Sequence, residues 1–319
     1  MLLEEKFAPE RAVFEDWARG FEDRDGKFVE EFQMTLESGL WELYLHTALK
    51  CLGLQADMSF SSPDFVVTHP TRLTVEATIA APPQGCKPPH GYTMEDIPSN
   101  FTEFNVDASL RICNSFDSKV KRFRSYYSAL PHVVDTPFVI AIAAFDRPFA
   151  HFAAGRPILS SIYGLYHDEA ATPRDASRVV SYNVSAAPKS ETVDIPLGLF
   201  CDATYADVSA VIYSSLATWG KVRALANNPF AKTIYTTYHP SRQSLLPEVR
   251  TQLKSAYSEH LLDGLFVLHN PFAKNPIPSG VLSHPRIAEI RVAPDGELIE
   301  AAPDDFLLVR TLMSVVERS

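Results

Sequence analysis

Cysteine is scarce in this chain of 319 residues: there are four, at positions 51, 86, 113 and 201. They stand far apart with no Cys-x-x-Cys pair, so neither a zinc motif nor a disulfide framework is indicated, and isolated reduced thiols are expected. Long apolar runs are absent too. The stretch from Pro137 to Phe145 is only strand-sized, and Met1 leads straight into Glu4, Glu5 and Lys6. No membrane span or signal peptide is expected, and the reading is of a soluble, cytoplasmic protein. Positive charge is in deficit: 29 Lys and Arg against 39 Asp and Glu give a net charge of −10. That balance argues against a generic nucleic-acid coat, which relies on cations to neutralise phosphates, while leaving room for a local basic cleft. No Gly-x-Ser-x-Gly turn, phosphate-binding Gly-x-x-x-x-Gly-Lys loop or Gly-x-Gly-x-x-Gly element occurs. Serine hydrolases and nucleotide-dependent enzymes therefore lack support.

What is present is enough apolar sequence, 46% of residues, for a large α/β core. The most informative stretch runs from Pro63 to Ile79. Phe65, Val66 and Val67 form a β-rich run before the turn residues His69-Pro70-Thr71. After the turn, Leu73, Val75, Ala77 and Ile79 alternate with Thr74, Glu76 and Thr78. Period-two alternation predicts a hairpin. With Thr68 facing Arg72, the register pairs Val66 with Thr74 and Asp64 with Glu76. Opposed carboxylates about 4.5–5.5 Å apart at Cβ destabilise a sheet unless something compensates. A hard divalent cation, Mg²⁺ or Mn²⁺, is the expected partner, with room left for phosphate oxygens. The alternative is a polar sheet edge facing solvent. Paired acids also serve glycosidases, but the hairpin spacing is short and no aromatic sugar platform is identifiable.

A helix carrying Glu42, then Pro63-Asp64, then Glu76-Ala77-Thr78 in a following strand resembles the PD-(D/E)xK nucleases, the restriction-endonuclease-like superfamily. The predicted order over residues 30–145, helix, three strands, helix, strand, is similar to that core. The resemblance implies metal held by Asp64, Glu76 and the main-chain carbonyl of Ala77, with Glu42 a further carboxylate on the metal or its water. It also implies a Lys two residues after Glu76, where this chain has Thr78. Members of the superfamily are known in which that Lys has migrated to the second core helix. Here Leu110, Cys113, Phe116, Val120, Phe123 and Tyr127 predict an amphipathic helix bearing Lys119, Lys121, Arg122 and Arg124. Lys119 flanks the apolar stripe and is the first candidate for the missing role; Lys121 is the second. The plainer reading of the basic run is a solvated face. The implied activity is phosphodiester hydrolysis on a nucleic acid, DNA or RNA. The alternative is a non-catalytic relative serving interaction or regulation.

Three regions are expected: an N-terminal extension (1–30), the nuclease-like core (31–150), and a C-terminal αβ part (151–319) that extends the mixed sheet or packs beside it. In the extension, Trp17 and Phe21 suggest a short helix ended by Asp25-Gly26. From Gln33 to Leu52 a mostly buried helix is predicted, its polar stripe of Thr35, Gly39, Glu42, His46 and Lys50 either solvated or completing the metal site through Glu42. Residues 81–100 contain five prolines and predict a long loop in which His90 and Tyr92 are candidate substrate contacts. His269, Asn270 and Lys274 are weaker candidates near a Pro-rich loop. Residues 287–299 read as a hairpin around Pro294-Asp295-Gly296, and the segment 145–193 shows no pattern to which a role is assigned.

Overall fold

A computed structural model describes residues 4–314 apart from 25, 27, 174, 191 and 230. Helices α1 (Ala8–Trp17), α2 (Phe28–Met34) and α3 (Leu36–Cys51) precede strands β1 (Gln55–Asp57), β2 (Phe65–His69) and β3 (Leu73–Ala80). Helix α4 (Phe101–Ser125) then leads to β4 (Phe138–Ala144). Next come α5 (Arg156–Tyr163) and two small hairpins, β5 (Leu165–Asp168) with β6 (Val180–Asn183) and β7 (Ala186–Ser190) with β8 (Val193–Pro196). The chain continues through β9 (Ala210–Ser214), α6 (Trp219–Leu225), β10 (Thr233–His239) and β11 (Glu248–Leu253). It closes with β12 (Leu265–His269), β13 (Ala288–Val292), β14 (Leu298–Ala301) and β15 (Val309–Ser314).

The fold is α/β, built on a mixed sheet of eight strands in the order β1-β2-β3-β4-β9-β12-β13-β14. The hairpins at its two ends, β1-β2-β3 and β13-β14, are antiparallel, while β3, β4 and β9 run parallel. All seven residues of β4 are buried, because a central strand covered on both faces has no polar side to show. Side-chain alternation divides the core in two. Val75, Val139 and Ala141 pack with Trp41 and Tyr44 of α3, and Ile140, Ile142 and Val211 pack with Phe116 of α4 and Ile158 of α5. Helices α3 and α4 therefore lie on opposite faces of the sheet. Asn100 starts α4 as its N-cap, its side chain accepting the Thr102 and Glu103 amides, and Arg122 and Arg124 fall in the last turn, where the helix dipole favours cations. Strands β11-β10-β15 form a separate three-stranded sheet. Among the described residues, no helix is long and apolar enough to cross a membrane.

Two local expectations are corrected. Helix α1 ends at Trp17, ahead of Gly20 at φ +80°, well before the Asp25-Gly26 pair read as its terminus; Asp25 lies outside the described residues. The polar stripe of α3 is solvated only at its ends, Thr35 and Lys50. Gly39 and His46 are buried because α1 and α2 pack over them. The His46 ring meets the Trp17 carbonyl at 2.9 Å, and Phe32 of α2 lies so close to Gly39 that a Cβ would clash with its ring. The apolar faces of α1 and α2, with Phe14 and Trp17, needed cover, and α3 supplies it.

Candidate functional site

Strands β2 and β3 meet in the register Phe65 with Val75, Val66 with Thr74 and Val67 with Leu73, the pairing read from the turn. One step further places Asp64 beside Glu76. The parallel ladder sets the rest. Thr74 donates its N–H to Pro137 and Ala80 accepts from Phe145, so even-numbered residues of β3 turn their main chain to β4 and odd-numbered ones turn toward β2. Since β2 begins only at Phe65, the main chain of Ala77 has no strand opposite it. Asp64 takes the place, its Oδ2 accepting the Ala77 N–H at 2.7 Å.

Glu76 lies on the α4 face of the sheet and is 2% exposed, so a sheet edge facing solvent is excluded. Its Oε1 accepts from Lys119 Nζ at 2.7 Å and from the Tyr127 hydroxyl at 2.9 Å. Among the described residues its buried Oε2 has no partner. Lys119 reaches this position because α4 buries Phe116 and Val120 against the sheet, which aims the flanking residue inward. Thr78, two residues beyond Glu76 on the same face, is half-buried and paired with Ile142. Lys121 points away, exposed and paired with Asp117 at 2.6 Å. Arg124 bonds Asp207 and the Thr204 carbonyl, and Arg122 lies over the Tyr127 ring.

The structure thus brings together Asp64, Glu76, Ala77 and Lys119. Glu42 is half-buried on α3, across the sheet from α4, and the charges acting most strongly on Asp64 are those of Glu76, Lys119 and Arg24. Beside Lys119, a second cation stands near Asp64. Arg24 anchors on the Phe60 carbonyl at 2.8 Å and places a guanidinium nitrogen 3.9 Å from Asp64 Oδ1. Sequence reading missed both Arg24 and the role of Tyr127. Arg24 lies 40 positions before Asp64 with no periodic pattern to mark it, and Tyr127 was read only as the end of an apolar stripe. The other candidates have structural partners: His90 with Glu37, Tyr92 against the Phe149 ring, His269 with Glu289, Asn270 with two main-chain carbonyls and Lys274 with Asp207.

Burial, and then the neighbouring Glu76, push the Asp64 carboxyl up to about 6 against the pull of Lys119, the Ala77 amide and Arg24. The folded value lies above the unfolded one, so ionising Asp64 costs the native state. The associated stability is fully present below the unfolded pKa of about 3.9 and is lost as pH rises through about 6. Asp64→Asn is therefore expected to be more stable than the parent at pH 7.5, by on the order of 1–3 kcal/mol, with the difference vanishing near pH 4. Urea unfolding at the two pH values reads this; a constant difference across the range would mean that Asp64 is not the strained group.

The donor set tests well for a cation. Two carboxylates share one side of the hairpin, burial and then Glu76 raise the carboxyl of Asp64, and among the described residues one buried oxygen of Glu76 lacks a partner. All-oxygen donors of this kind suit hard divalent ions. Comparison with known protein families, with characterised proteins and with solved structures finds no match to this chain.

Proposed function

We propose that this chain is a divalent-metal-dependent nuclease with a restriction-endonuclease-like core. The order α3-β1-β2-β3-α4-β4 supports the core, and the observation that carries the activity is the 2.7 Å contact from Lys119 on α4 to Glu76. In this reading the Lys119 ammonium takes the role for which Thr78 has no charge. Asp64, Glu76 and the Ala77 carbonyl are the residues to hold Mg²⁺ or Mn²⁺, which when bound polarises a phosphoryl oxygen and lowers the pKa of bound water. Lys119 orients and activates the attacking water, with Glu76 fixing its position and Tyr127 fixing Glu76. In this reading Arg24, whose guanidinium lies 3.9 Å from Asp64, binds a substrate phosphate.

A second reading rests on the same charges. Asp64 and Glu76 face Arg24 and Lys119, so the two acids are balanced by two cations with no ion required. That arrangement favours a non-catalytic scaffold. The readings part on metal and turnover. Mn²⁺ binding to the native state raises stability by about 2.7 kcal/mol at a hundredfold excess over Kd, so thermal melts are expected to rise with Mn²⁺ in the parent and not in Asp64→Asn. The parent is expected to cut single- or double-stranded DNA or RNA with Mg²⁺ or Mn²⁺, and Asp64→Asn to be inert. An equal rise in both melts puts the ion elsewhere, and a parent with neither a Mn²⁺ shift nor cleavage selects the scaffold.

A further inference from the structure

Three side chains far apart in sequence converge outside the carboxylate site. Cys51 closes α3, His260 lies in the loop before β12 and His284 in the loop before β13. One donor atom from each lies within 4.8 Å of the other two, and the imidazoles stack with centroids 5.2 Å apart and planes 18° from parallel.

The surrounding contacts hold the three segments together. Tyr44 of α3 donates its hydroxyl to the Leu261 carbonyl at 3.0 Å, tying the His260 loop to the helix that ends in Cys51. Asp263 accepts the His260 amide at 2.8 Å on one oxygen and Arg286 Nε at 2.6 Å on the other, so a single carboxylate joins the two histidine segments. Buried Lys221 pins the same loop through the carbonyls of Asp263 and His260. None of these bonds uses the Cys51 sulfur, and Cys51 and His260 are exposed. Supporting contacts that orient ligands without consuming them are what a metal site requires.

We propose that Cys51, His260 and His284 bind a borderline-soft divalent cation of the zinc type, with three protein ligands and the fourth position open to solvent. One thiolate and two imidazoles select such an ion over Mg²⁺ or Mn²⁺, which the oxygen donors of Asp64 and Glu76 suit. On binding, Cys51 releases its thiol proton to solvent and ligates as thiolate. Nδ1 of each histidine accepts a local main-chain N–H, from Leu262 and from Arg286, at 3.1 Å. Coordination through either ring nitrogen disturbs those two contacts, because Nδ1 then either binds the ion or carries the ring proton, so the amide resonances of Leu262 and Arg286 report binding. Sequence reading assigned Cys51 as an isolated thiol because separations of more than 200 residues leave no motif.

The test is titration of the full chain with Co²⁺ and then Zn²⁺. The parent is expected to show a thiolate-to-Co²⁺ charge-transfer band that saturates at one equivalent and that Zn²⁺ displaces. Cys51→Ser is expected to lose the band, and His260→Ala and His284→Ala to weaken the Zn²⁺ dissociation constant at least about tenfold. Asp64→Asn is expected to bind as the parent does, which keeps this site distinguishable from the carboxylate pair. Metal-free melting temperatures equal to the parent's establish that the variants fold. A parent without the band, a band that survives Cys51→Ser, or Zn²⁺ affinity unchanged by both histidine substitutions would overturn the proposal.

Discussion

Lys119→Ala is expected to lower metal-dependent cleavage by about 10²–10⁴-fold, the range for losing a positioned proton-transfer group. The same substitution leaves Mn²⁺ affinity unchanged or higher. Lys119 is not a ligand, and removing a cation beside two carboxylates makes their site more negative. That opposition separates a catalytic Lys119 from a structural one, since general damage to the site would weaken metal and turnover together. A further readout follows from Asp64. Lys119 is among the groups that restrain its carboxyl, so in the metal-free variant that carboxyl should titrate higher than in the parent. Lys121→Ala, on an exposed residue paired with Asp117, is expected to keep parental activity. Parent and Lys119→Ala equally inert on DNA and RNA with Mg²⁺ and Mn²⁺ would remove the catalytic assignment in favour of the scaffold.

The largest stability effect is expected at Glu259, in a buried ion cluster that adjoins the His260 loop. Its side chain is buried with those of Lys221 on α6 and Arg310 on β15, both of which pair with Oε1, while Tyr257 donates its hydroxyl to Oε2 at 2.6 Å. Arg310 also reaches the Leu216 carbonyl at 2.9 Å and runs so close to Gly220 that a Cβ there would lie 2.9 Å from its guanidinium. The network joins the three-stranded sheet to α6. Glu259→Gln keeps the shape but leaves two buried cations uncompensated, which costs about 3–5 kcal/mol. Burial works to raise the Glu259 carboxyl, yet Arg310 and Lys221 outweigh it and hold the group below its usual range. Its contribution is therefore present above the unfolded pKa of about 4.3 and is lost as pH falls through the lower folded value. Urea unfolding near pH 7 should show the full loss, with parent and variant converging in acid. A loss below about 1 kcal/mol at neutral pH would mean that the cations find other partners.

Local periodicity carried much of the site. The alternation on either side of His69-Pro70-Thr71 determined a hairpin whose register places Asp64 beside Glu76, because the strand period of two leaves no freedom once one face is buried. The apolar stripe of α4 likewise determined that Lys119 borders the core, and the unbroken apolar run of β4 marked it as a central strand. What a polar residue meets is not written in any period. Glu42 and His46 share a stripe, yet α1 and α2 cover its centre and bury His46, which the stripe itself does not announce. Arg24 and Asp64, Cys51 and the two histidines, and Lys221, Glu259 and Arg310 were joined only by the packing of segments distant in the chain. A charged or ligating side chain looks the same in sequence whether it is solvated or paired. Its partner is chosen by which surfaces the helices and strands must bury, a property of the whole tertiary structure.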